Sequence, residues 1–322
     1  MVDPYELPIM EQREGEWAAV TQNSLNRVIC VGTGKGGAFK TSLTANAAGL
    51  CAAAGHRTLL IDLDPQGDLA DDLGYFSDTR LDDGQHLAAS MLTGQPLTPL
   101  LSEVRPNLDV VPGGDYLADV GGALLARSSR GAASYDLLAK ALAPVAEAYD
   151  LIFIDTPPTD ETLQLLALHA SRWLVVPTKE DKSSIRAIQR ITQRAAETRA
   201  AGHHIDLLGV VLVGVPTAAK RVRSQAAADI TGMLDAIAPL FDATIRYSSA
   251  AAQSLRNEGI LAHEMAIKVE GAEPFWKSLR AGTSVDRLPG TAPDLAADYV
   301  GVVEQLLHEI NKREVSMMGE PA

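Results

Sequence analysis

Cysteine is nearly absent. The chain of 322 residues contains two, Cys30 and Cys51, and no C-x-x-C spacing. That excludes a disulfide framework and a thiolate metal centre, and with them an iron–sulfur carrier. Long apolar runs are missing too. The longest, LLGVVLVGV (207–215), falls far short of the ~20 residues that a membrane-spanning helix needs. The opening MVDPYELPIMEQREGEW has neither the basic nor the apolar region of a signal peptide. Positive charge is scarce: 28 Lys and Arg stand against 41 Asp and Glu, for a net charge of −13. A nucleic-acid surface on such a chain can only be a local basic patch. There is no internal repeat and no long low-complexity tract. The expected setting is the cytoplasm.

What is present is alternation. Short apolar runs at 27–33, 57–64, 108–113, 150–157, 172–177, 207–215 and 243–247 are separated by longer helical patterns such as 41–55 and 183–200. Runs that are apolar almost throughout suit strands covered on both faces. The expected fold is α/β, a doubly wound, mostly parallel sheet flanked by helices. Residues 1–26 read as a short N-terminal extension. A terminal amphipathic helix is expected at 292–312, and PFWKSL within 265–292 reads as a small packed helix.

GKGGAFKTS (34–42) follows the first strand and opens a helix, the setting of a phosphate loop. Its backbone N–H groups can cradle phosphate oxygens, helped by the partial positive charge of the helix N-terminus. Gly34, Lys35, Gly36, Gly37, Ala38, Phe39, Lys40, Thr41 and Ser42 are therefore candidate ATP-binding residues. Lys40 is placed to reach the β- and γ-phosphates, and the Thr41 hydroxyl to meet Mg²⁺. Phe39 stands where the general pattern has glycine. Its ring cannot occupy the phosphate site and is expected to point away from it.

Two acidic strand ends follow. In RTLLIDLDPQGD (57–68), Asp62 and Asp64 share one face of a strand. Their carboxylates can orient a water and hold a metal's hydration shell. In DLIFIDTPPT (150–159), apolar residues lead to Asp155, a candidate Mg²⁺ ligand through water.

The lysine directly after the first glycine of GKGG, the D-x-D-P-Q-G strand end and the D-T-P-P strand end, in this order, resemble the ParA/MinD family of deviant Walker A ATPases. WLVVPTKEDKSSIRAI (173–188) and TIRYSSAAAQSLRNEGILAHE (244–264) are similar to later family segments. The resemblance covers 27–265, the expected ATPase domain. It leaves 266–322 as a C-terminal helical extension packed on the same domain. It implies Mg-ATP hydrolysis by an ATP-clamped homodimer, with Lys35 crossing to the partner's nucleotide, Lys40 and Asp64 serving catalysis, and Asp62 nearer the metal. Adenine is expected near Pro216.

The resemblance also implies non-specific binding of double-stranded DNA on the nucleoid. Arg186, Arg190 and Arg194, four apart, form one helical stripe, and Lys220, Arg221 and Arg223 cluster after the next strand. With 26 residues before the first strand, an operator-reading domain is not expected. A ParB-like centromere-binding partner is therefore expected to supply sequence specificity and to stimulate hydrolysis. No membrane partner is expected: the tail EQLLHEINKREVSMMGEPA is mixed in charge, against a MinD-like membrane helix. The alternatives kept open are a MinD-like positioning ATPase, and a nucleotide switch in which Phe39 limits turnover.

Overall fold

A computed structural model describes residues 24–33, 35, 39–128, 135–215, 232, 240–271 and 289–319. Of the residues singled out in the sequence, Gly34, Gly36, Gly37, Ala38, Pro216, Lys220, Arg221 and Arg223 lie outside the described residues, as do PFWKSL and most of the N-terminal extension.

Eight strands form one sheet in the order β3-β4-β2-β5-β1-β6-β7-β8. They are β1 (Val28–Val31), β2 (Thr58–Asp62), β3 (Leu101–Arg105), β4 (Leu108–Val111), β5 (Leu151–Asp155), β6 (Trp173–Thr178), β7 (Asp206–Val215) and β8 (Leu240–Arg246). All pairs are parallel except β3 with β4. The sheet is thus the doubly wound, mostly parallel one expected from the apolar runs.

Both faces are covered, because alternate side chains of each strand enter different cores. Ile29 and Val31 join Leu60 and Phe153 on one face. Val28 and Cys30 join Leu59, Ile61, Ile152 and Ile154 on the other. The first face is covered by α1 (Lys40–Ala53), α2 (Leu69–Leu73), α8 (Ser249–Glu258), α9 (Ala262–Glu270) and α10 (Ala292–Gly319). The second is covered by α3 (Gln85–Thr93), α4 (Ala118–Ser128), α5 (Leu137–Ala146), α6 (Glu161–His169) and α7 (Lys182–Ala200). Cys30 and Cys51 are buried free thiols in these cores, consistent with cysteine acting as a small hydrophobe.

Two elements depart from the sequence reading. The edge strand β3, LSEVR, is not an apolar run, since only Leu101 is buried. It pairs antiparallel with β4 through the Pro106-Asn107 turn, where Asn107 has φ 62°, as the third residue of a type II turn requires. The terminal helix α10 runs seven residues beyond 312, to Gly319. Its Leu295, Tyr299, Val302, Val303, Leu306 and Ile310 are buried in the same core as α1. Arg246 fastens β8 to it through Asp298 (2.6 Å) and Asp294 (2.8 Å).

Candidate functional site

The carboxyl ends of β1, β2 and β5 bring the acidic and basic candidates together. Asp62 and Asp155 end adjacent parallel strands as register partners, and Val31 lies level with Asp155 on the other side. The chain leaving β1 enters α1 at Lys40. The parallel sheet therefore sets a lysine, a threonine and three aspartates at one edge. Lys40 is 6% exposed, Asp64 7%, and Asp62 and Asp155 are fully buried.

The Thr41 hydroxyl donates to Asp155 Oδ2 at 2.7 Å, and Thr44 Oγ1 lies 3.3 Å from Asp155 Oδ1. The backbone N–H of Asp64 donates to Asp62 Oδ1 at 3.0 Å. Asp62 Oδ2 is buried without a hydrogen-bond partner. A buried polar atom left unpaired costs free energy and calls for an explanation. Burial, followed by the neighbouring Asp155 charge, pushes the Asp62 carboxyl well above its usual range. Burial likewise pushes Asp155 up to about 7, with the Asp64 charge adding to it. Asp64 is raised chiefly by burial. Burial lowers the Lys40 ammonium, while Asp155, Asp64 and Asp68 act in the opposite direction. An orphaned carboxylate oxygen beside a second buried carboxylate and a hydroxyl is a hard oxygen donor set suited to Mg²⁺. The residues present fit that ion.

Lys35 reaches its own chain. Its Nζ donates to Asp181 Oδ2 at 2.9 Å and to Ser183 Oγ at 2.6 Å. Asp181 is the N-cap of α7, accepting from the backbone N–H groups of Ser183 and Ser184. Hydrogen bonds from Ser183 and then Lys35 hold its carboxyl well below the usual range. Sequence reasoning missed Asp181 and Ser183. The signal was there in the D-K-S-S pattern of an N-cap, but nothing in it indicated which loop would meet that cap.

Phe39 is the N-cap residue of α1, with φ 57° and ψ 22°. Its ring lies against Gly214 at the end of β7, with Lys179 Nζ 5.5 Å from the ring centroid. It also borders a cavity of about 250 Å³ lined by Ser42, Asp72, Arg246, Ser248 and Tyr299. There Ser42 donates to Asp72 at 2.9 Å, and Arg256 Nε donates to the other oxygen of that carboxylate at 2.7 Å. A left-handed conformation costs a non-glycine residue about 1–2 kcal/mol, and glycine would relieve it. The half-buried ring returns a contribution of similar size. Phe39→Gly is therefore expected to shift unfolding stability in urea by no more than about 1 kcal/mol, with nucleotide binding kept.

The members of the basic stripe differ in their settings. Arg186 and Arg190 are exposed on α7. Arg194 is drawn to α6, with contacts to Gln164 Oε1 at 2.5 Å and Glu161 Oε2 at 3.1 Å. Arg246 and Arg256 are likewise engaged, by Asp294, Asp298 and Asp72. No described helix is long and apolar enough to cross a membrane.

Comparison with known proteins agrees with this architecture. A family profile described as an AAA domain matches residues 26–205, more than half of the chain. The chain is 33% identical over 197 residues to the chromosome partitioning protein ParA of Myxococcus xanthus, covering 61% of this chain and 62% of that protein. It is thus similar to somewhat less than two thirds of that relative's length. It is 30% identical over 203 residues to the chromosome-partitioning ATPase Soj of Thermus thermophilus, covering 62% of this chain and 75% of that one. Among solved structures it resembles apo McdA of Cyanothece, with TM-score 0.69, 21% identity and coverage of 87% of this chain and 99% of that one. The D38A variant of McdA has been solved as an ATP complex (TM-score 0.64, 20% identity, 87% and 96% covered). The chain belongs to the ParA/MinD family of P-loop ATPases, whose members include partition and positioning ATPases.

Proposed function

We propose that this chain is a DNA-partition ATPase: it binds Mg-ATP at the carboxyl edge of the sheet, dimerises around it, and in that state holds DNA non-specifically. The observation that carries the nucleotide site is the buried set of Asp62, Asp64, Asp155, Thr41 and Lys40, with its unpaired Asp62 oxygen. Lys40 and the 34–42 backbone would hold the phosphates. Thr41, Asp62 and Asp155 would hold Mg²⁺, which supplies charge neutralisation on the transferred phosphoryl group. Asp64, beside Lys40, would orient the attacking water. The cavity bordered by Phe39 and Ser42 adjoins the start of α1, in reach of the nucleoside, and β7 ends at Val215, one residue before Pro216 in the sequence. The ATPase unit is taken as 27–265, with 1–26 as an extension and 266–322 as part of the same domain.

In the single chain, Lys35 is held by Asp181 and Ser183. To reach a partner's nucleotide it must leave them, and α7 keeps a charged cap whose lysine has gone. Arg186 and Arg190 sit on the same helix, so the lysine that signals the dimer starts at the base of the proposed DNA surface. With Lys220, Arg221 and Arg223, and with less weight on the tethered Arg194, these form the proposed patch. A dimer doubles it. The partition role draws on the chromosome-partitioning functions of the ParA and Soj relatives, and a ParB-like protein is the proposed stimulator. The proposed location is the cytoplasm, on the nucleoid.

Sedimentation with ATP and duplex DNA tests the reading. Lys35→Ala is expected to keep nucleotide binding and to lose both the ATP-dependent dimer and DNA. Charge reversal at Arg186 and Arg190 is expected to spare the dimer and abolish DNA binding. In the parent protein, binding should weaken steeply with salt, each phosphate contact adding about 0.9 to the log–log slope. Unchanged DNA binding by the charge-reversed protein across a salt titration removes the patch. Normal dimerisation of Lys35→Ala removes the clamp.

A further inference from the structure

Far from the phosphate loop, three side chains from separate elements converge. Asp136 precedes α5, His169 ends α6, and His203 follows α7. His169 leads into β6 and His203 into β7, so the cluster lies at the amino edge of the sheet. The phosphate loop follows β1 at the opposite edge. Asp136 Oδ1 is 3.0 Å from His169 Nδ1 and 3.3 Å from His203 Nε2. One ligand atom from each residue lies within 4.8 Å of the others.

Each residue is placed by its local structure. Asp136 occupies the N-cap position of α5, yet its side chain makes no cap hydrogen bond. The carboxylate turns to the two imidazoles instead. Gly202, at φ 98°, closes α7: its N–H donates to Arg199 O, and the His203 N–H donates to Thr198 O. That pair of bonds is a Schellman motif, and it fixes the backbone of His203. The two imidazole rings lie 4.0 Å apart, tilted by 46°. Side-chain exposure is 10% for His169, 27% for His203 and 34% for Asp136, so the cluster is framed by protein and open on one side.

We propose that Asp136, His169 and His203 form a binding site for a divalent transition metal of the zinc class, distinct from the Mg-nucleotide site. Four-coordinate zinc with nitrogen and oxygen ligands at about 2.0–2.1 Å sets its ligand atoms about 3.3 Å apart. The two separations from Asp136 match that edge. Three protein ligands leave a fourth position for water, on the open side. Imidazole and carboxylate donors favour zinc, cobalt or nickel over Mg²⁺. A bound ion would join the start of α5 to the ends of α6 and α7, three elements far apart in sequence.

The test is a titration of the EDTA-treated full chain with Co²⁺, in excess Mg²⁺ so that the oxygen-lined site is occupied. One equivalent of Co²⁺ is expected to bring up the visible bands of a four-coordinate nitrogen–oxygen site, and Zn²⁺ to displace them. His203→Ala and Asp136→Asn are each expected to weaken binding about tenfold or more. His203 lies on a loop, so its alanine variant should fold, and metal-free circular dichroism checks this. Absence of the four-coordinate bands would show that the cluster is only a hydrogen-bonded triad. Wild-type affinity in both His203→Ala and His169→Ala would place the metal elsewhere. Either result overturns the proposal.

Discussion

Lys40→Ala abolishes the rise in melting temperature that Mg-ATP gives the parent protein. A ligand that binds only the native state stabilises it by RT ln(1 + [L]/Kd), about 2.7 kcal/mol at a hundredfold excess over Kd. In a chain of this size that amounts to several degrees. Lys40 is the first residue of α1 and is 6% exposed, facing Asp155, Asp64 and Asp68. Its removal takes away the ammonium that would meet the phosphates. It also removes the cation that favours the ionised form of Asp64 and Asp155. The variant's thermal transitions with and without Mg-ATP are expected to superimpose, while its circular dichroism stays native. An undiminished rise would show that the phosphates bind elsewhere, away from the carboxyl ends of β1, β2 and β5.

The parts of this site that the sequence made legible are those in which a strand ends and the chain turns. Asp62, Asp64 and Asp155 could be placed because a buried parallel strand puts its last residue at the carboxyl edge, and three such strands in order leave few alternatives. Lys40 and Thr41 could be placed because a helix must start directly after the loop. The partners of Lys35 could not. Asp181 and Ser183 are 146 and 148 residues away, and local pattern carries no information about which of several carboxyl-edge loops touch. The stripe of arginines shows the same limit. A spacing of four put Arg186, Arg190 and Arg194 on one face, but only packing reveals that Glu161 and Gln164 of the neighbouring helix draw in Arg194. The strand β3 escaped because an edge strand needs only one buried residue. Its Pro106-Asn107 turn was the better signal. The histidine–aspartate cluster was invisible for the reason Asp181 was: its members are single residues at helix ends, brought together by the sheet.

The buried carboxylates make nucleotide-free stability fall as pH rises, and Mg-ATP reverses the trend. In the unfolded chain, Asp155 gives up its proton near the ordinary value of 3.8; in the folded chain it holds it to about 7. Asp62 is raised well above the same starting value, and Asp64 is raised as well. Between the unfolded and folded values the native state binds more protons. The slope of unfolding free energy with pH is then negative, and the loss is complete above the folded value. A tenfold change in a proton-binding constant corresponds to about 1.4 kcal/mol, so the expected loss between about pH 4 and 7 is on the order of a few kcal/mol. Carboxyls that the fold lowers, such as Asp181 and Glu264, act below that window. His203, lowered by the fold, acts within it and in the opposite direction. Comparison with Asp155→Asn removes the histidine contribution, because both proteins carry it. Urea denaturation is expected to show the variant more stable than the parent at pH 8 and the difference closing as pH falls toward the ordinary value of 3.8, below which Asp155 is protonated in both states. A divalent cation favours the ionised carboxylate, so Mg-ATP binding to the parent releases protons and tightens from pH 6 to 8. Asp155→Asn should lose most of that tightening. A variant whose stability follows that of the parent at every pH would mean that Asp155 is already ionised in the free protein, and that a metal arriving there displaces no proton from it.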